Sequence, residues 1–123
     1  MRLLWRIGLG AAVLLGGFAA VRSQTAATAR VPQFENDSVK VWKTTVQPHQ
    51  PTELHRHGHP RVVVALTGGT MEFIGQDGAK ERHVWEAGKA YWLPSMPAGA
   101  LHSDSNPGDK PIEVMVVELE KEQ

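Results

Sequence analysis

Beyond residue 38 the chain carries short runs rich in β-branched and aromatic residues, broken by Gly, Pro, Asn or Asp at intervals of eight to twelve positions. No stretch between them shows the apolar spacing of an amphipathic helix. The runs cover residues 38–46, 52–57, 61–66, 70–74, 80–85, 89–93, 100–105 and 112–119. Asp77-Gly78 tolerates the positive φ of a tight hairpin, and Thr67-Gly68-Gly69 is expected to make another. A chain built this way can bury its apolar residues only between sheets, so the pattern predicts an all-β sandwich or barrel.

The beginning of the chain reads differently. Residues 1–22 open with Arg2 and Arg6, continue through an apolar stretch over 7–21 and contain no acid, which is the pattern of a secretory signal. Ala27-Thr28-Ala29 supplies a small-residue cleavage site, with Gly17-Phe18-Ala19 as a rival nearer the apolar stretch. We therefore expect a signal peptide over 1–29 and a single domain over 30–123, delivered to the periplasm or secreted. The apolar run is shorter than the ~20 residues of a spanning helix, so no stable span is expected after cleavage. The alternative is an uncleaved segment that anchors the chain to the inner membrane. Residues 30–36 read as a linker, or as an edge extension that pairs with a second subunit.

Removal of the leader leaves about 95 residues, enough for one domain with a modest core and too few for two. The sequence has no cysteine, which excludes disulfides, thiol catalysis and lipidation of the leader. Thirteen Lys and Arg balance 13 Asp and Glu, and no basic block lies outside the leader. Nucleic acid is therefore not an expected partner. A small molecule is.

His55-Arg56-His57 places two imidazoles at alternate positions of a strand-like run, and alternate residues of a strand point to one face. A second cassette, Pro97-Ala98-Gly99-Ala100-Leu101-His102, brings a further histidine from a distant run. Together these resemble the two motifs of the cupins, with His55, His57, Gly68, Gly88, Pro97, Gly99, His102 and Asn106 standing in matching roles. The resemblance runs from about residue 36 to 119. It departs from the family twice. Arg61 or Val62 stands where the first motif carries a glutamate ligand, and Ser95-Met96-Pro97 looks like an insertion in the turn before His102.

The resemblance implies a double-stranded β-helix, or jelly-roll, barrel with a pocket at its mouth. It also implies that His55, His57 and His102 form a three-imidazole shell for a divalent metal, with Fe, Mn, Ni, Cu and Zn all compatible. His59 has the same parity and is a local substitute, although Gly58 and Pro60 are expected to bend the chain there; His49 and His83 read as surface residues. Trp42, Trp85, Trp92, Phe73 and Met71 are available for the core or the pocket wall.

Arg61 shares the parity of His55 and His57 and should point into the same cavity, unless Pro60 resets the register. A guanidinium cannot ligate a metal, but its planar fork suits a carboxylate or phosphate. The other reading of Arg61 is a salt bridge that closes the barrel mouth. Three functions follow: a three-histidine metalloenzyme of dioxygenase type acting on a small anionic substrate bound by Arg61, a metal-free ligand-binding or sensor cupin, and an isomerase- or epimerase-like cupin with a histidine base. Cupins commonly cover an open sheet edge by exchanging strands, so a homodimer is expected.

Overall fold

The computed structural model describes residues 26–121 together with Gly16 and Gly17. Most of the expected leader lies outside the described residues, and so does the expected anchoring; of the two cleavage sites, Ala27-Thr28-Ala29 lies within them. Eight strands are present: β1 (Ala29–Glu35), β2 (Val39–Val46), β3 (Arg61–Ala65), β4 (Gly69–Gly75), β5 (Lys80–Trp85), β6 (Ala90–Leu93), β7 (His102–Ser105) and β8 (Ile112–Leu119). They form two antiparallel sheets, one ordered β1-β2-β8-β3-β6 and the other β5-β4-β7. Among the described residues there is no helix.

Alternation along β2, β3 and β8 builds the core. Trp42, Thr44 and Val46 of β2 lie opposite Val116, Val114 and Ile112 of β8, while Val63 and Ala65 of β3 flank Val116 and Val114 from the other side. These residues are buried and, apart from Thr44, pack with Met71 and Trp85 of the second sheet into one cluster. The same inward row then changes character. One pair beyond Val63 and Val116 stand Arg61 and Glu118, so a charged end caps an apolar body. Gly69 permits a close approach of the two sheets, since a Cβ there would lie 2.8 Å from the Ile112 side chain.

Four expectations need correction. Residues 52–57 do not form a strand: Pro51 and Pro60 bracket the segment, and it contributes only an isolated bridge between His55 and His102. Residues 29–35 form the additional strand instead, paired with β2 of the same chain rather than acting as a linker. Asp77-Gly78 does close the β4–β5 hairpin, whereas Thr67-Gly68-Gly69 carries the chain from one sheet to the other. Trp92 also departs from its expected place in the core or pocket wall. It pairs with Val62 on the outer face and is 57% exposed, because Tyr91 and Leu93 hold the inward positions of β6.

The start of the domain is tied down. Thr28 Oγ1 donates to Gln50 O and accepts from Gln47 N at 2.9 Å, and Ala29 is paired with Thr45. Cleavage after Ala29 would remove these bonds, so the Ala27-Thr28-Ala29 site falls inside the fold. Arg30 lies 3.6 Å over the Trp42 ring, a cation–π contact that anchors β1 to the core.

Candidate metal centre

Hydrogen bonds position the His55-Arg56-His57 segment without a strand. His55 and His102 exchange backbone bonds of 2.8 and 2.9 Å, and Thr52 pairs with Asp104 by its amide at 3.0 Å and its hydroxyl at 2.8 Å. His57 O accepts from Met96 N at 2.8 Å. Arg56 points the other way and donates to the carbonyls of Pro97 and Met96 at 2.9 and 3.0 Å. The inserted turn is thus what clamps the histidine segment. Gly99 adopts φ 78°, a left-handed conformation that favours glycine, in the turn closed by Ala100 N donating to Pro97 O.

The expected alternation survives in this extended segment. Ligand nitrogens of His55, His57 and His102 all lie within 4.8 Å of one another. His55 Nε2 is 3.2 Å from His102 Nε2. Nitrogens bonded to one ion at ~2.0–2.1 Å are about 2.9–3.4 Å apart, so this pair already has ligand spacing. His55 Nδ1 sits 2.7 Å from Glu53 O, which fixes its proton there and leaves Nε2 free. Glu118 Oε2, 3.5 Å from His57 Nδ1, favours the same tautomer for the second ring.

The electrostatics keep two of the rings unprotonated. Burial, followed by the charge of Arg61 and the neighbouring histidines, holds His57 down to about 2. His102 is lowered to about 4 by burial, then His55, Arg61 and His83. Both rings are therefore neutral at physiological pH, and metal binding needs unprotonated nitrogens. Asp104 stands beside them, with Oδ1 3.4 Å from His102 Nε2 and Oδ2 3.7 Å from His55 Nε2. Burial pushes its carboxyl up, while His55, Arg61 and His83 pull it back.

Arg61 points inward as its parity predicts and is 4% exposed. Among the described residues no carboxylate lies within 4.0 Å of it, although Glu118 faces it across the strands, so the direct salt bridge is not made. Burial lowers its pKa, and the charges of Asp104 and Glu118 oppose the shift. Its side chain, with Phe73 and Leu93, lies between two cavities. One, of about 500 Å³, holds His55, His57, Asp104, Trp42 and Trp85. The other, of about 750 Å³, is bordered by His102, His83 and the loop from Pro94 to Pro97.

Neither a family model nor a curated protein matches the sequence. Solved structures do. A cupin domain from Bordetella pertussis superposes with a TM-score of 0.68 at 26% identity, over 80% of this chain and 98% of that one. The chain belongs to the cupin superfamily. An RmlC-like cupin from Desulfovibrio desulfuricans (TM-score 0.56, 21% identity, 92% and 98% covered) shares the fold. So does a double-stranded β-helix protein from Klebsiella pneumoniae (TM-score 0.58, 21% identity, 80% and 82% covered).

Within this cupin the remaining motif residues divide by role. Asn106 is buried and donates to Val46 O at 2.9 Å and Lys110 O at 2.7 Å, while its Oδ1 accepts from Gly108 N at 3.0 Å. It braces a turn and does not face the site. His59 is not brought to the cluster: the bend at Gly58 and Pro60 turns it away, and its buried Nδ1 has no partner among the described residues. His49 is exposed, as expected. His83 is not a simple surface residue, since its ring lies 4.1 Å from Phe73 and stacks on Trp85 at 5.3 Å.

Sequence reasoning passed over Asp104 and Glu118. Asp104 had a signal, because it stands two residues after His102 on the same face of β7. Glu118 had none without the β3–β8 register.

Proposed function

We propose that this cupin is an exported divalent-metal enzyme of dioxygenase type acting on a small anionic substrate. The observation that carries this reading is the convergence of three imidazoles within 4.8 Å of one another where two cavities meet, two of them held neutral, beside a buried guanidinium with no carboxylate within 4.0 Å among the described residues. His55, His57 and His102 would hold the ion; His59 would not. A redox-active ion such as iron would supply the oxygen chemistry, with both atoms of O₂ entering the substrate and no external reductant needed. Arg61 would grip the substrate carboxylate or phosphate in two hydrogen bonds, and its burial strengthens that grip by excluding water. Phe73, Trp42 and Trp85 would enclose the apolar part of the substrate.

A second reading has one observation in its favour. Carboxylates within 3.5 Å of His57 and His102 could orient a histidine base in an isomerase- or epimerase-like reaction without metal. Basicity argues against it, because rings titrating near 2 and 4 are weak bases at neutral pH. Export accords with a cysteine-free chain and an acid-free leader, and the ties of Thr28 favour cleavage at Gly17-Phe18-Ala19.

Elemental analysis of protein purified without chelator tests the central claim. One divalent ion per chain, lost in His55→Ala and His57→Ala, is expected. Protein that neither retains nor takes up a divalent ion would refute the metal reading and leave the metal-free sensor or isomerase. Calorimetric titration with small carboxylates and phosphate, on wild type and Arg61→Gln, tests the anionic substrate.

A further inference from the structure

The motif glutamate is absent from this chain, yet the cavity is not without a carboxylate. We infer that Asp104 of β7 enters the metal shell in its place, so that the ligand set is three histidines and an aspartate drawn from a different strand. The inference rests on the metal reading above and names a ligand that the family pattern does not supply.

The geometry turns on which nitrogen each carboxylate faces. Glu118 lies behind its histidine, against His57 Nδ1, where a carboxylate orients the ring without touching an ion. Asp104 lies in front. Its Oδ1 is 3.4 Å from His102 Nε2, the same nitrogen that meets His55 Nε2 at 3.2 Å, and its Oδ2 is 3.7 Å from that His55 nitrogen. The separations of 3.2 and 3.4 Å match donors sharing one ion with bonds of ~2.0–2.2 Å, and the third exceeds that spacing by a few tenths of an ångström; Asp104 stands outside the 4.8 Å grouping of the three imidazoles, so its carboxylate must turn toward His57 when an ion binds.

Asp104 Oδ1 is also buried with no hydrogen-bond partner among the described residues. A buried carboxylate oxygen without a donor is costly, and a cation removes that cost. The backbone is built to hold it. Thr52 bonds the amide and the carbonyl of Asp104 while His55 pairs antiparallel with His102, so Asp104 is held next to the His55–His102 pair, on the side away from His57. With the aspartate inside the shell, its charge offsets the repulsion between the ion and Arg61. That leaves Arg61 free for a substrate anion.

Zinc and manganese titrations of purified wild type, Asp104→Asn and Asp104→Glu, read by calorimetry and by manganese EPR, test the assignment. Asp104→Asn should weaken metal binding at least about tenfold, and Asp104→Glu should restore part of the loss. In wild-type protein labelled with ¹³Cγ-aspartate, zinc should shift the Asp104 carboxyl resonance and leave those of Asp37, Asp77 and Asp109 in place. The labelled wild type decides the matter even if Asp104→Asn fails to fold. Equal affinities with an unmoved Asp104 resonance would overturn the inference while the three-histidine site stands. A wild type that binds neither ion would overturn both.

Discussion

Acidifying the metal-free protein should destabilise it well before its surface carboxylates titrate. His57 and His102 are held at about 2 and about 4 in the fold, against 6.5 for a free imidazole. Above pH 6.5 neither the folded nor the unfolded chain holds these protons, and the depression has no effect on stability. Below that point the unfolded chain takes up protons that the folded cluster refuses. Stability then falls by up to about 1.4 kcal/mol per pH unit for each ring, ending near pH 4 for His102 and continuing toward 2 for His57. Between pH 6.5 and about 5 the pair therefore removes at most about 4 kcal/mol, and screening at the cavity mouth brings this to about 2 kcal/mol. Asp104 works in the opposite direction, because a carboxyl raised by burial is relieved when it protonates, and it trims the slope. Urea unfolding with chelator present, at about pH 7.5 and pH 5, should show the midpoint falling by roughly 1 M at the lower pH. His57→Gln should remove about half of the difference. A midpoint that is unchanged or higher at pH 5 would refute the burial argument for both rings.

Arg61→Gln removes a buried positive charge without placing a second acid beside Glu118, as Arg61→Glu would. It should weaken carboxylate or phosphate binding by about 2–5 kcal/mol and tighten divalent-metal binding, both read by calorimetry. Asn106→Ala should cost about 1–3 kcal/mol, since it leaves the buried carbonyl of Val46 without its donor and frees the part-buried one of Lys110, and thermal unfolding would show it as a clear fall in Tm. N-terminal sequencing of periplasmic protein should find a start ahead of Thr28; a start at Arg30 would mean that the ties of Thr28 are dispensable. Native mass spectrometry at micromolar concentration should find a dimer, as proposed from the open sheet edges, and a monomer would overturn it.

Strands with clean alternation were legible because burial selects residue type at every second position. β3 and β8 are examples, with Val63, Ala65, Val114 and Val116 all inward. β1 was not recognised, because all seven of its residues are exposed and no face is selected for apolarity. The 52–57 run misled for the opposite reason. Its alternation is real, since His55 and His57 share a cavity, but it is maintained by bonds to β7 and to the Met96 turn rather than by a ladder. The three histidines were readable from spacing and resemblance. The environment that makes them ligands was only partly so, because Glu118 reaches His57 through a pairing over 61 residues of sequence that no local pattern encodes.

The order β1-β2-β8-β3-β6 puts the last strand of the domain at the centre of the larger sheet. Until β8 has been synthesised, β2 and β3 have no common neighbour, Val63 and Trp42 have no shared wall, and His57 lacks its carboxylate partner. A nascent chain of this topology cannot close its barrel ahead of its final residues, and its dominant pairings are long-range and correspondingly slow to form. For the exported chain proposed above, which would cross a membrane as an open thread, such delay would be protective. The position of one strand thus delays folding, and the cavity that holds the histidines forms only after β8 is available.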